Sequence, residues 1–279
     1  MEHRRGKSAS APAESAGPWP RAAAQAGAAF RWLIVLAVIG FWGWLFLAQV
    51  SMPRMSYSLP FDAWYGHWRE AAIASAVFLA FVLGLVWPRG PAEWRNAGMY
   101  SAFLISLFVE MFGVPLTIFL VAPLLDVPVF AFGLNESHLW AYLLDRAHAL
   151  PIDRGVYWVM TTSVALIAVG MALVAVGWAQ VYGRRYWLVT TGIYRIVRHP
   201  QYLGLILVIV AFNIQWPTIL TLPMAPVLIV MYVRQARRED RRLEHRFGNH
   251  FHRYAARVPA FIPRLPWRSA RTQRTESFE

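Results

Sequence analysis

The sequence predicts an all-α integral membrane protein, and three observations predict it: an apolar composition, long uncharged runs along the chain, and basic residues gathered into alternate connections. Of 279 residues, 57% are hydrophobic, 14 are Trp, and the mean hydropathy is +0.38. That is too apolar for an ordinary soluble domain of this size. The chain contains no cysteine, which excludes disulfides, thiolate catalysis and Cys-ligated metals. Any chemistry must draw on oxygen, nitrogen or a bound group.

In chain order, residues 1–28 are rich in Ala, Ser, Pro and Gly and carry Arg4, Arg5, Lys7 and Arg21. They offer no apolar periodicity to bury and read as a disordered cytoplasmic tail. Residues 29–182 read as four transmembrane helices: Ala29 to Gln49, Ala71 to Trp87, Ala97 to Leu125, and Gly155 to Tyr182. Each meets or approaches the roughly 20 apolar residues that a crossing needs. The run from Arg31 to Gln49 has a long polar leader and lacks a small-residue cleavage site, so it reads as an anchor rather than a signal peptide.

Positive charge sets the orientation, because Lys and Arg stay on the cytoplasmic side of short loops. Pro88 to Asn96 carries Arg89 and Arg95, and Gly183 to Pro200 carries Arg184, Arg185, Arg195 and Arg198. By contrast, Asp126 to Arg154 sets Asp126, Glu136, Asp145 and Asp153 against Arg146 and Arg154. Both termini are therefore expected in the cytoplasm. The loop Val50 to Glu70 holds Arg54 and Arg69, with Trp64, Tyr65 and Trp68 as an interfacial aromatic belt.

Glu110 is the one formal charge between Asn96 and Asp126. An intramembrane carboxylate marks a functional site by default, here as a substrate-binding residue beside the lipid portion of a ligand. The competing reading is a neutral Glu bonded to a neighbouring helix, at a kink set by Gly113 and Pro115. In the fourth span, Gly170 and Gly177 read as helix-packing residues.

The last third of the chain carries the densest pattern. From Pro200 to Val233, 34 residues contain no Asp, Glu, Lys or Arg, too many for one crossing and few for two. Asn213, Gln215, Trp216 and Pro217 lie near the middle, where proline withholds its N–H and pushes the preceding residue out of helix. The run therefore predicts a tight helical hairpin, Tyr202 to Phe212 and Thr218 to Val233. Its bend returns Arg234 to Tyr254 to the side of Arg198-His199-Pro200. Within the returning segment, Glu239, Leu243, Phe247 and Tyr254 recur at roughly helical spacing. A carboxylate on such a face needs a partner.

As a combined pattern these residues resemble a known family. Arg198-His199-Pro200 with Tyr202 and Gly204, then the acidic pair Glu239-Asp240, Leu243, Phe247-Gly248, Tyr254 and the closing Val258-Pro259 with Ile262-Pro263, look like the membrane methyltransferases of the isoprenylcysteine carboxyl methyltransferase and phospholipid methyltransferase group. The resemblance runs from Tyr182 to Pro263. It implies S-adenosylmethionine as cofactor, a methyltransferase core over residues 183–265 that ends in a cytoplasmic cofactor-binding segment, and a disordered tail over 266–279.

By the same resemblance, cofactor contacts fall on Tyr186, Trp187, Leu188, Val189, Tyr194, His199, Pro200, Gln201, Tyr202, Gly204 and Glu239. Gly204 is the small residue permitting close approach. Arg198 and Arg234 are the catalytic candidates. Gln235 is a substrate-binding candidate, standing where the family's eukaryotic carboxyl methyltransferases have Arg. Tyr186 stands where those enzymes often have His. The two departures leave the cofactor reading intact and the acceptor open.

The resemblance thus implies S-adenosylmethionine-dependent methyl transfer to an amphiphilic or small hydrophobic acceptor, such as a lipid, at the cytoplasmic face of a bacterial inner membrane. An NADPH-dependent membrane reductase related to sterol reductases is an alternative. So is a non-catalytic scaffold or transporter, although the halves show no internal repeat. With net charge +12 on a chain rich in spans, anionic lipid headgroups are the expected partner rather than nucleic acid. No metal is expected: His245, His250 and His252 lack a recognised ligand spacing, and His138 and His148 fall in the outer loop.

Overall fold

The computed structural model describes residues 18–51, 66–86, 90–124, 139–182 and 187–263, and every regular element among them is helical. Tyr186, residues 1–17 and residues 264–279 lie outside the described residues, as do Trp64, Tyr65 and His138. In order, the helices are α1 (Pro18–Ser51), α2 (Trp68–Val86), α3 (Pro91–Phe108), α4 (Leu116–Leu124), α5 (Leu139–Arg146), α6 (Ile152–Val181), α7 (Pro200–Gln215), α8 (Thr221–Phe247) and α9 (Asn249–Arg257).

Helix α1 begins at Pro18, well inside the segment expected to be a disordered tail. Its first turns contain an Ala-rich stretch, and Ala is the best helix former. Further along, α1 exposes Phe30, Leu33, Leu36, Trp44 and Leu47 while burying Val35. An outer surface of that kind suits hydrocarbon and not water.

Helix α3 starts with Pro91 after the extended Gly90, using a residue whose missing N–H is no loss in a first turn. The same turn places Glu93 at the positive end of the helix dipole. At its far end the backbone widens into a π-helical turn, Val109–Gly113. Val114 is then extended ahead of Pro115, as the residue before proline prefers. The pair Pro91–Gly113 and Leu116–Leu124 is bent by 73°, so the expected span Ala97 to Leu125 is broken in two at the kink that Gly113 and Pro115 mark.

Two helices, Gln25–Ala48 and Ile152–Val181, are long and apolar enough to cross a membrane, or up to three if the bent pair counts as one span. The core lies where α3, α6, α7 and α8 meet, filled by Tyr100, Phe103, Leu107, Val174, Leu205, Val208, Ile209 and Leu228.

Helices α6 and α7 cross closely at two glycines. A Cβ added at Gly170 would stand 2.7 Å from the Gly204 carbonyl oxygen, and one at Gly204 would strike the Gly170 carbonyl. Gly177 faces Gln201 and Pro200 in the same way. The packing role expected of Gly170 and Gly177 therefore extends to Gly204, whose small size admits the neighbouring helix.

Between α7 and α8 the chain turns at residues 216–220. Thr218 and Thr221 close the turn reciprocally: the Thr218 N–H donates to Thr221 Oγ1 at 3.1 Å and the Thr221 N–H to Thr218 Oγ1 at 3.0 Å. This satisfies N–H groups that the start of a helix leaves over. Helix α8 then runs unbroken to Phe247, so the hairpin's second arm and the basic segment are one helix rather than two pieces meeting at Val233. A continuous helix carries Glu239 about 27 Å from Thr221, back alongside the start of α7.

Candidate functional site

The site is assembled from three chain segments at one end of the bundle. In the first, the 3-10 turn Gly192–Arg195 begins with a glycine at φ +63°, a left-handed conformation that glycine adopts without penalty. Gln180 packs beneath it and accepts the Ile193 N–H at 3.2 Å. Tyr194 is buried and donates its hydroxyl to the Gly177 carbonyl at 3.3 Å.

Two residues on, the backbone N–H groups of Arg198 and His199 donate to the carbonyls of Pro259 and Ala260 at 2.9 and 3.1 Å. The Val258-to-Pro263 segment therefore lies alongside Arg198-His199-Pro200. Phe261 comes with it, its ring 5.8 Å from the His199 ring. The Tyr254 hydroxyl completes the seam by donating to the Tyr194 carbonyl at 2.7 Å.

Helix α8 supplies the acids. His199 Nε2 lies 2.8 Å from Asp240 Oδ1, and Nδ1 lies 3.8 Å from Glu239 Oε2. A carboxylate only accepts, so Nε2 carries the proton shared with Asp240. Arg198 Nη2 reaches the other Asp240 oxygen at 3.3 Å, and its guanidinium stands 5.8 Å from the Phe251 ring centre. The His199 side chain is 3% exposed and that of Glu239 44%. Asp240 is thus the fixed partner of the imidazole, and Glu239 is the carboxylate a ligand would meet. The Nε of Arg198 is buried and has no partner among the described residues.

Burial pushes the Tyr194 phenol well above its usual range, with the Glu239 charge and then Tyr254 adding to the shift. Burial likewise pushes Tyr254 up to about 12, with Arg198 opposing and Asp240 assisting. Both phenols are therefore hydrogen-bond donors at neutral pH.

Tyr202 links this cluster to a second, deeper one. Its ring lies 5.8 Å from His199 and stacks on Tyr232 at 5.9 Å. Its hydroxyl lies near the Glu239 carboxylate and the Gln235 side chain. Gln235 is 2% exposed and donates through Nε2 to Glu93 Oε1 at 3.1 Å, an oxygen that also accepts from Arg242 Nη1 at 3.2 Å.

Of the residues singled out in the sequence, the structure brings together Arg198, His199, Pro200, Tyr202, Gln235 and Glu239, with Tyr194 behind them. Gln201 packs toward Gly177. Trp187 is 77% exposed, and Leu188 and Val189 are half-buried. Arg234 is exposed. On a helix that buries Gln235, its neighbour points about 100° away, so Arg234 is not part of the gathered set.

Glu110 is elsewhere. It is buried and accepts the Thr117 N–H, while the Thr117 hydroxyl accepts the Ile219 N–H at 2.7 Å. That places it at the turn of the hairpin, the opposite end from His199. Sequence reasoning missed Glu93 and Phe261, and took Asp240 only as the companion of Glu239. Glu93 stands 142 residues from Gln235 in the chain, and no local pattern joins them.

Residues 155–250 match the family model for phospholipid methyltransferase. The cobalt-zinc-cadmium resistance protein of Cupriavidus metallidurans is 37% identical over 114 residues, covering 39% of this chain and 52% of that protein. The nickel-cobalt-cadmium resistance protein of Alcaligenes xylosoxydans xylosoxydans is 38% identical over 107 residues, covering 37% and 50%. The chain thus spans about half the length of the curated relatives it matches, and no solved structure matches it. Among the described residues no group of three or more His, Cys, Asp or Glu could hold a metal ion. The matched segment contains the R-H-P block, the hairpin and the acidic pair, and over that third of its length the chain is similar to the phospholipid methyltransferase family.

Proposed function

We propose that the protein is an S-adenosylmethionine-dependent methyltransferase acting at the cytoplasmic membrane face on an amphiphilic or small hydrophobic acceptor that reaches the site from the bilayer. One observation carries the reading: His199, fixed by Asp240, stands beside the half-open Glu239 carboxylate where three distant segments converge. The residues present fit the cofactor. Glu239 offers a carboxylate to its cationic groups, Arg198 holds a buried Nε still in want of a partner, and the Tyr202 and Phe261 rings flank the imidazole.

The cofactor, when bound, supplies an activated methyl whose bond to sulfur breaks with the electron pair kept by sulfur, while the acceptor's lone pair makes the new bond. The chain's own task is to hold, orient and keep water out. In well-aligned systems positioning supplies about 7–11 kcal/mol of a barrier. No covalent nucleophile is needed.

Four spans are proposed: α1, α2, the bent α3–α4 pair and α6, with α7 and α8 as a hairpin returning to the same side. Arg31 on α1 lies 5.5 Å from the Tyr182 ring at the end of α6, and Glu93 on α3 meets Arg242 on α8. The N-terminal helix and the basic segment thus share one end, which the positive-inside rule assigns to the cytoplasm. The exposed Arg237, Arg241, Arg253 and Arg257 support contact with anionic headgroups. The bacterial sources of the relatives support an inner membrane.

Calorimetry of the purified protein with S-adenosylmethionine tests the reading. Binding that is lost in His199→Ala and weakened in Glu239→Ala is expected. No binding, or binding indifferent to both changes, refutes it.

A further inference from the structure

The acceptor side of the site is built by a residue outside the family-matched segment. Glu93, in the first turn of α3, accepts from the Gln235 amide at 3.1 Å. A carboxylate can only accept, so Glu93 fixes which end of the Gln235 carboxamide it faces: the NH2.

With its amide turned to Glu93, the Gln235 carbonyl oxygen is left buried without a partner among the described residues. An orphaned acceptor in a side chain only 2% exposed is costly to leave unmade. It is also the mark of a site completed by a ligand that donates. Gln235 lies one helical turn before Glu239 on the same face of α8, about 5–6 Å deeper into the bundle.

We propose that Glu93 is the positioning residue of the acceptor subsite. By locking Gln235 with its carbonyl free, it selects a methyl acceptor whose reacting group carries an N–H or O–H, and it disfavours a carboxylate; the proton displaced as the new bond to carbon forms passes to the half-open Glu239 carboxylate and on to water. This rests on the methyltransferase reading above and deepens it. A carboxylate would meet the Gln235 carbonyl lone pairs and the Glu93 and Glu239 charges.

The test measures binding without cofactor and turnover with it, on the full chain in nanodiscs. Octylamine, octanol and octanoate serve as probes of matched chain length. Wild type is expected to bind and methylate the amine or the alcohol in preference to octanoate. Gln235→Leu, which removes the carbonyl at similar volume, is expected to erase that preference. It should also raise KM for the favoured probe about tenfold, the usual worth of a hydrogen bond near the upper end of its range, with kcat changed less.

Glu93→Gln frees the Gln235 amide to turn over and is expected to weaken the preference in the same direction, while Glu93→Asp restores part of it. Cofactor affinity, measured by calorimetry in each variant, is the reference. Cofactor binding kept by wild type with an equal or greater affinity for octanoate overturns the inference and leaves the methyltransferase reading standing. A preference unmoved by Gln235→Leu and Glu93→Gln overturns it too. Failure of wild type to bind S-adenosylmethionine overturns the underlying reading instead.

Discussion

Replacing Gly204 by Ala tests whether this glycine serves the crossing of α6 and α7 or the ligand. The new Cβ would strike the Gly170 carbonyl and stand 2.8 Å from Val174 Cγ2 and 3.1 Å from Leu173 Cβ. The reciprocal contact, a Cβ at Gly170 against the Gly204 carbonyl, is 2.7 Å where ordinary contact begins at 3.4 Å, so the helices must part by about 0.7 Å. Backbone cannot swing aside as a long side chain can, and overpacking of this kind costs about 1–3 kcal/mol. Ala regains up to about 1 kcal/mol of helix propensity, leaving a net loss of roughly 1–2 kcal/mol.

Gly98, within α3, is the internal control, because a Cβ there meets nothing within 4 Å and Gly98→Ala keeps only the propensity gain. Reversible unfolding in mixed micelles, followed by far-UV circular dichroism, reads all three variants. Gly204→Ala and Gly170→Ala should both fall below wild type and Gly98→Ala should rise above it. If Gly204→Ala unfolds like wild type while weakening cofactor binding, and Gly170→Ala does neither, the packing argument is wrong and the glycine belongs to the ligand.

Other perturbations address the site. Asp240→Asn removes the charge that Arg198 and His199 share, and is expected to cost about 1–3 kcal/mol of stability and to weaken cofactor binding, both measurable on one preparation. Glu110→Gln, at the far end of the hairpin, should leave cofactor affinity unchanged in calorimetry; a tenfold loss would mean that the two ends communicate. Tyr254→Phe removes the donor to the Tyr194 carbonyl and should speed amide exchange around residues 192–199. Because burial raises the folded Tyr254 phenol to about 12 from its ordinary 10.0, its contribution is intact below pH 10 and lost as pH rises toward 12. Tyr254→Phe should therefore flatten the alkaline limb of a stability curve, and an unchanged limb would count against the burial argument.

Much of the site was legible because its chemistry is written locally. Pro217 inside an uncharged run predicts the bend, and the bend alone returns an acidic pair to the R-H-P block. The boundary expected at Val233 was misleading, because a switch from apolar to basic residues changes what a helix faces without stopping it. Arg, Gln, Ala, Glu and Leu all propagate helix well, and α8 continues through them to Phe247. The start of α1 was hidden for a related reason: Ala23, Ala24 and the alanines after them were read by composition as tail when they favour helix. Gly113 and Pro115 announced a break in the third span, whereas its π-helical form depends on how Glu110 and Thr117 pair across it.

What no local pattern could reveal is that the functional unit exceeds the family-matched segment at both ends. Residues 155–250 contain Arg198 and His199 but not the carbonyls of Pro259 and Ala260 that receive their backbone N–H groups. Buried N–H groups without partners are rare in folded proteins, so the closing Val258-to-Pro263 segment is a structural requirement of the R-H-P block rather than a tail beyond it. The same segment lacks Glu93, whose carboxylate alone determines which end of Gln235 faces the interior. On the proposed reading, a pattern shared across a family would specify where a methyl donor sits, while a first-turn acid on a helix outside that pattern would decide what is presented to it. Acceptor choice can then vary between relatives without disturbing the R-H-P block, and Gln235 with Glu93 is where this chain would make its own choice.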